Sequence, residues 1–216
     1  MNPMREGAKA AIPLAVAIGG FGVSFGVLAR SAHLGWAAPI VMSVTTFAGS
    51  AQFAALSILG SGGGATAAAV AALLLNARYA PIGVSVAPEF SGSRWSRLVR
   101  AQLLIDESWA LGHRGGGRYD VARIMGAGLT CYAAWVGGTA AGVAAGNVVG
   151  NPNRWGLDAA FPAMFVVLLV PQLQNRQAIV AAVGGAAIAL ALVPLAPAGV
   201  PIIAATAACL VGLRRQ

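Results

Sequence analysis

Long apolar stretches follow one another along almost the entire chain, and they constrain the fold more than any other feature. A helix needs about 20 apolar residues to cross the hydrocarbon core of a bilayer. Stretches of this kind cover residues 10–29, 37–59, 66–88, 122–146, 158–174, 178–194 and 197–213. Charged residues make up only 9% of the sequence, whereas a soluble domain carries about 25%. The pattern predicts an all-α integral membrane protein, a single bundle of seven or eight transmembrane helices over residues 1–216.

The segment 98–112 decides between seven and eight helices. It is apolar but carries an arginine and two acidic residues, Asp106 and Glu107, so it is a short span, a re-entrant piece or an interfacial helix. With seven helices, the arginines of the central loop all lie on one side of the membrane, as the positive-inside rule favours. Arg5 and Lys9 then lie outside. With eight helices, the central arginines divide between the two sides.

The basic excess and the absence of catalytic motifs exclude several classes of protein. The net charge of +8 comes almost entirely from arginines between apolar runs, a placement that sets membrane orientation and does not indicate nucleic-acid binding. His33 and His113 have no further ligand at metal spacing, and no nucleophile elbow or phosphate-binding loop is present. We therefore expect a protein that is not an enzyme and needs no cofactor.

Glycine and proline interrupt many of the apolar stretches. The chain has 29 glycines and 11 prolines, so many helices are either interrupted or packed very closely against one another. Broken membrane helices are tolerated only inside protein or along a watery cavity. This predicts several broken helices around a polar path, the architecture of a transporter. Glycine pairs at 19–20 and 137–138 predict breaks in two corresponding spans. If the two segments reflect a duplication, halves 10–88 and 122–194 form an inverted repeat in the seven-helix version and a parallel repeat in the eight-helix version.

One group of polar residues lies in the middle of the second apolar stretch, in the sequence Phe47-Ala48-Gly49-Ser50-Ala51-Gln52-Phe53. Gly49 favours an unwound turn whose backbone could hold the carboxylate and ammonium groups of a small zwitterion. Phe47 and Phe53 would wall the apolar part of such a site. The alternative is that Ser50 and Gln52 only form hydrogen bonds between helices.

A second group combines a basic residue with acidic ones. Arg78 follows Asn76 in the third apolar stretch, where a charge is costly unless it is paired or reaches the interface. Asp106 or Glu107 is its natural partner or, alternatively, a proton site, since a carboxyl group in low-dielectric surroundings can carry protons near neutral pH. Asp158 is a further acidic candidate, although it could equally cap the helix that follows it.

Three sequence motifs, in this order, resemble those of a known family: Phe47 to Phe53, Asn76-Ala77-Arg78-Tyr79 and Asp106-Glu107-Ser108. The sequence resembles the AzlC family, the larger subunits of bacterial branched-chain amino acid exporters. The similarity runs from about Gly7 to Gly212. One departure is Ala77, where the family usually has leucine between the asparagine and the arginine.

The resemblance implies export of L-valine and related amino acids across the bacterial inner membrane, driven by the proton gradient. It also implies a small membrane partner of the AzlD type. We expect Phe47, Gly49, Ser50, Gln52, Phe53 and Asn76 to bind substrate, and Arg78, Asp106, Glu107 and Asp158 to serve in gating or proton coupling. The alternative is a permease subunit of an ATP-driven amino acid transporter. Such subunits usually carry a Glu-Ala-Ala motif in the cytoplasmic segment that couples them to the ATPase, and the loop after Glu89 lacks it.

Overall fold

The computed structural model describes residues 2–115, 117–149, 166, 169–170, 173–196 and 200–208. These residues form helices and connecting turns, and within them the only β pairing is an isolated bridge between His113 and Tyr119. The α-helices are α1 (Pro3–Ser31), α2 (Ala37–Thr45), α3 (Gly49–Gly60), α4 (Ala65–Asn76), α5 (Tyr79–Val86), α6 (Arg94–Ala101), α7 (Asp106–Gly112), α8 (Val121–Val149), α9 (Arg176–Leu192) and α10 (Val200–Ala205). A short 3₁₀ turn, Ala87–Glu89, follows α5.

The chain divides into two compact units. The first comprises Met1–Gly49 and Asn76–Trp155, and the second comprises Ser50–Leu75 and Gly156–Gln216. Within the second unit, α9 packs against α10. The single domain and the repeat halves expected from the sequence stay predictions.

α1 and α8 form the centre of the first unit and run parallel to each other. Gly7, near the start of α1, lies against Arg123 near the start of α8. Gly26 lies against Gly142, and the last turn of α1 reaches Gly146. The contacts therefore advance in the same direction along both helices. Each helix has 29 residues, which is about 43 Å at 1.5 Å per residue.

Glycines let the backbones of α1 and α8 touch. A Cβ atom built on Gly22 would come within 2.7 Å of the Trp135 carbonyl oxygen, and one on Gly138 would meet the backbone of Gly19. Small residues allow such close approach, and van der Waals packing then stabilises the pair. The breaks predicted at the two glycine pairs are wrong, because both helices continue through them. The sequence shows that glycines cluster there, but not that they serve packing instead of breaking the helix.

Two of the apolar stretches are broken as the sequence predicts, although not at the same residues. The stretch 37–59 divides into α2 and α3, and the break falls at Thr46–Ala48, just before Gly49. The stretch 66–88 divides into α4 and α5, which are bent by 42°. Pro81 lies in the first turn of α5, where its missing N–H and its ring prevent a continuous ladder from α4.

The number of membrane crossings is not fixed by helix length alone. Among the described residues, α1 is long and apolar enough to span a bilayer, and α4 with α5 would form a second span if the bent pair crosses as one. The predicted stretch 122–146 coincides with α8, and 178–194 coincides with α9. Most of 158–174 lies outside the described residues.

The ambiguous segment 98–112 contains two short helices, α6 and α7. A small core cluster holds them in place; its buried members are Val86, Phe90, Leu104 and Ile124. Trp109 of α7 packs against this cluster, and its indole Nε1 donates a hydrogen bond to the Ser85 hydroxyl of α5 at 3.0 Å. This hydrogen bond fixes α7 beside α5, and thereby beside the bend that carries Arg78.

Candidate functional site

The bend between α4 and α5 presents Arg78 to the start of α7. Its Nη2 atom lies 3.1 Å from Oδ2 of Asp106, and both side chains are about one-third exposed, at 35% and 36%. The same nitrogen donates a 3.3 Å hydrogen bond to the hydroxyl of Tyr79, and the guanidinium carbon lies 5.1 Å from the centre of the Tyr79 ring. The sequence left Asp106 and Glu107 as alternative partners; the structure places the ion pair on Asp106.

Asp106 is held by the geometry of the α7 N-terminus. The Ser108 hydroxyl accepts a hydrogen bond from the backbone N–H of Ile105 at 2.9 Å and lies 2.9 Å from the Leu103 carbonyl oxygen, to which it donates. Ser108 is fully buried. A carboxylate in the first turn of a helix is also favoured by the helix dipole. Glu107 follows in the same turn and is half-buried.

Asn76 ends α4, two residues before Arg78. Its side-chain amide oxygen is buried and has no hydrogen-bond partner among the described residues. A buried acceptor without a partner costs about 1–3 kcal/mol, so such an oxygen favours a hydrogen bond from a ligand or from water. This oxygen can accept a hydrogen bond from the amine or ammonium group of a ligand.

The other predicted binding residues lie around the break between α2 and α3. Phe47 has a positive φ of 44°, which is uncommon for a bulky residue and marks a locally constrained backbone. Its ring is buried and meets the Tyr132 ring edge-on, at 5.0 Å between centres and an angle of 85°. On α3, Ser50, Gln52 and Phe53 are each at most 3% exposed.

The structure thus brings together Arg78 and Asp106 with Tyr79, and places Ser50, Gln52 and Phe53 along the first turns of α3. The two groups belong to different compact units, and each is described by itself. The predicted acidic residue Asp158 lies outside the described residues.

Sequence reasoning missed two polar side chains that contact the break. The Tyr132 hydroxyl of α8 donates to the Val44 carbonyl oxygen at 2.9 Å, and Gln102 Nε2 donates to the Thr45 carbonyl oxygen at 2.9 Å. Gln102 lies in an apolar segment and Tyr132 in a span. Polar groups at such places are costly unless used, and that cost was the signal that could have singled them out.

The sequence also matches a known protein family over the region that contains these residues. The sequence profile of the family described as AzlC protein matches residues 13–149, which is more than half of the chain. The chain belongs to the AzlC family. The matched region contains the α2–α3 break and the Arg78–Asp106 ion pair, whereas Asp158 lies beyond it.

Individual relatives agree with the family assignment. An uncharacterized membrane protein of Archaeoglobus fulgidus is 32% identical over 213 residues, covering 94% of this chain and 91% of that protein. The branched-chain amino acid transport protein AzlC of Bacillus subtilis is 27% identical over 173 residues, covering 79% and 68% of the two chains. No solved structure gives a significant match. The membrane location expected of this AzlC protein is confirmed by the family and by these relatives.

Proposed function

We propose that this AzlC protein exports branched-chain amino acids such as L-valine across the plasma membrane. The transport is secondary, coupled to protons, and carried out with a small membrane subunit of the AzlD type. The observation that carries the proposal is the ion pair between Arg78 and Asp106 at the bend of two apolar helices. The Bacillus subtilis relative, whose name assigns it to branched-chain amino acid transport, supports the substrate class.

The α2–α3 break supplies the substrate site in this proposal. Gly49 and Ser50, at the start of α3, belong to the proposed site as backbone and polar groups for the zwitterionic end of the substrate. Gln52 adds a polar group, and Phe47 and Phe53 suit a branched aliphatic side chain. Asn76 stays in the proposed substrate-binding set because its buried amide oxygen has no partner among the described residues.

Competition for Arg78 gives a route to proton coupling. A substrate carboxylate that approaches Arg78 replaces Asp106 as its counter-ion. Asp106, left without its cation, is the carboxyl group that takes up the proton in this mechanism. When the substrate leaves, Asp106 releases the proton and pairs with Arg78 again. Because the pair is about one-third exposed, a substrate can reach the guanidinium without unfolding the bend.

Glu107 and Asp158 complete the proposed gating and proton-coupling set. Glu107 is adjacent to Asp106 in the first turn of α7, so it is proposed as the acidic group for onward proton movement. Asp158 is included in this set only because of its position in the sequence.

Labelled L-valine flux in proteoliposomes tests the proposed function. Vesicles would hold this chain, an AzlD-type subunit, or both, with and without an imposed pH gradient. We expect gradient-driven flux only with both chains, and at least a tenfold lower flux in Asp106→Asn. Glu89→Gln is the matched control, since Glu89 is an exposed carboxylate on the 3₁₀ turn. Flux that instead requires ATP and an ATPase subunit would establish an ATP-driven permease.

A further inference from the structure

Two helices of equal length, α1 and α8, lie side by side and parallel within the first unit. Gly7 lies against Arg123 near the starts of the two helices, and Gly146 lies against Arg30 near their ends. α1 is long and apolar enough to span a bilayer, and α8 carries no charged residue after Arg123. A membrane that α1 crosses is therefore crossed by α8 in the same direction.

Basic residues gather at the starts of these two helices. Those on the first turns of α1 and α8, or in the loop just before α8, are Arg5, Lys9, Arg114, Arg118 and Arg123. Within the described residues, the opposite ends of the two helices carry Arg30. Lys and Arg concentrate on the cytoplasmic side of membrane proteins, and acidic residues contribute little to this bias. The starts of α1 and α8 therefore lie in the cytoplasm.

The α6–α7 segment begins and ends beside the start of α8. Shortly before α6, Phe90 packs in the same buried cluster as Ile124 of α8. At the other end, Gly112 is the last residue of α7, and its carbonyl oxygen accepts a hydrogen bond from the Asp120 N–H at 2.8 Å. Gly112 also lies against the Ile124 side chain. The segment thus returns to the level along α8 at which it begins.

The turn between α6 and α7 lies further along α8. The Leu103 backbone lies against Gly128 of α8. Gln102 Nε2 donates to the Val44 carbonyl oxygen at 3.3 Å, and the Tyr132 hydroxyl of α8 donates to the same oxygen at 2.9 Å. At 1.5 Å per residue, Gly128 and Tyr132 lie about 10 and 16 Å from the start of α8, which is about 43 Å long. The turn therefore enters the membrane but stops short of its far side.

We propose that α6 and α7 form a re-entrant helical hairpin that enters the membrane from the cytoplasmic side and leaves it on the same side. The segment between the two ends then does not cross. The arginines that flank it lie in the cytoplasm together with the basic start of α1. Because α1 and α8 run in the same direction, an odd number of crossings separates them, so the stretches 37–59 and 66–88 do not both cross as single full spans.

The arginines of α6 fit this orientation. Arg94 and Arg97 lie in the first turn of α6, at the cytoplasmic interface. Arg100 lies further in, but its Nη2 atom donates to the Ser96 hydroxyl at 2.7 Å and to the Ser91 carbonyl oxygen. Its side chain therefore extends back towards the start of α6, as an arginine does when it reaches from an apolar segment to the interface.

The hairpin also sets the side from which the ion pair is reached. Asp106 begins the returning helix, three residues after Leu103, and lies 3.1 Å from Arg78. The pair therefore lies beside the tip of a hairpin that opens to the cytoplasm, the side from which an exporter takes its substrate. This consequence rests on the proposed function, whereas the hairpin itself rests on contacts within the first unit.

Labelling of single cysteines with a membrane-impermeant maleimide tests the sides, in a background lacking the two native cysteines. Ser91→Cys and Ala122→Cys flank the hairpin, Met4→Cys reports the start of α1, and Ser31→Cys reports its end; all four positions are exposed. We expect the first three to label only after permeabilisation of the cells, and Ser31→Cys to label in intact cells. Labelling in detergent shows that each cysteine is reactive.

The opposite outcomes separate the steps of the inference. Labelling of Ser91→Cys and Ala122→Cys from opposite sides would show that α6–α7 crosses, and Glu89→Cys with His113→Cys, also exposed, repeats the comparison. Opposite labelling of Met4→Cys and Ala122→Cys would overturn the shared direction of α1 and α8. None of these readouts uses transport, so they can fail while the proposed function stands, and valine flux can fail while they hold.

A nitroxide spin label measures depth and separates a re-entrant hairpin from two helices that lie on the membrane surface. Ala101→Cys is at the exposed end of α6, and Leu129→Cys is the matched reference because it is exposed on α8 beside Gly128. We expect the labels at these two positions to collide with oxygen, in preference to a water-soluble nickel complex, to the same extent. A label on Ala101→Cys that is as accessible to the nickel complex as one on Ser91→Cys would overturn the re-entrant hairpin.

Discussion

The contact between α1 and α8 predicts that two glycines on one helix differ sharply in their tolerance of a methyl group. A Cβ atom on Gly22 would lie 2.7 Å from the Trp135 carbonyl oxygen and 3.1 Å from the Thr139 nitrogen. Both are rigid backbone atoms, so the helices must separate. A Cβ atom on Gly20 would have no neighbour within 4 Å. Gly22→Ala and Gly20→Ala are therefore the same chemical change with opposite steric consequences.

The magnitudes follow from two opposing effects. Overpacking of a close interface costs about 1–3 kcal/mol. Alanine is favoured over glycine within a helix by about 0.8–1.0 kcal/mol. We expect Gly22→Ala to lower the free energy of unfolding by about 1–2 kcal/mol, and Gly20→Ala to leave it unchanged or raise it slightly. On α8, Gly142→Ala and Gly137→Ala form a second such pair, because Gly142 meets the Val23 backbone and Gly137 meets nothing within 4 Å.

Denaturation of the purified protein in detergent, followed by tryptophan fluorescence, measures these differences. Trp135, one of five tryptophans, lies in the contact itself and stacks on Phe25 at 5.8 Å between ring centres, so its share of the emission changes when the helices separate. The opposite result would be that Gly22→Ala is as stable as Gly20→Ala and Gly142→Ala is as stable as Gly137→Ala. Equal stability in both pairs would mean that α1 and α8 are not in backbone contact.

Three further predictions follow from single contacts. Partial burial alone raises the pKa of Asp120, but hydrogen bonds from the Arg123 N–H and the Arg114 side chain lower it below its ordinary value. The ionised Asp120 carboxylate therefore stabilises the fold fully above its pKa in the unfolded chain, and this stabilisation is lost as the pH falls through its lower pKa in the folded protein. Thermal melts should show that Asp120→Asn is less stable than wild type at pH 7 and equally stable in acid. Removing the hydrogen bond between Ser43 and Thr139 should lower the free energy of unfolding by about 0.6–2 kcal/mol. A double-mutant cycle with Ser43→Ala and Thr139→Val measures this as a coupling energy, and a coupling energy near zero would contradict the prediction. Trp109→Phe removes the donor to Ser85 and should lower valine flux by loosening α7, whereas Trp95→Phe on the exposed face of α6 should not; equal flux in both variants would contradict this role of α7.

Much of the fold could be predicted because apolar runs and proline have direct structural consequences. The stretches 10–29 and 122–146 lie within α1 and α8, and the bend before Pro81 follows from its missing N–H. The positions of breaks could be predicted less well. Glycine permits both a break and a close contact, and only the packing of a second helix decides between them, as at Gly22 and Gly138.

The candidate site shows the same division. A charge in an apolar run requires a partner, so Arg78 and an acidic residue of the Asp106-Glu107 pair could be expected to meet. Which acid makes the contact depends on the start of α7 and on the Ser108 hydrogen bonds, and local sequence does not determine those. Gln102 and Tyr132 were missed for a related reason. Their partners are backbone carbonyls, which leave no pattern in the sequence.

We propose that Asp106 couples valine movement to a proton through its ion pair with Arg78. The most direct test compares two assays of Asp106→Asn in proteoliposomes with an AzlD-type subunit: exchange of labelled for unlabelled L-valine without a gradient, and net valine flux driven by a pH gradient. Exchange needs substrate binding but no net proton movement, so we predict that exchange is retained while gradient-driven flux and the accompanying proton movement are lost. Normal gradient-driven flux in Asp106→Asn would contradict the claim.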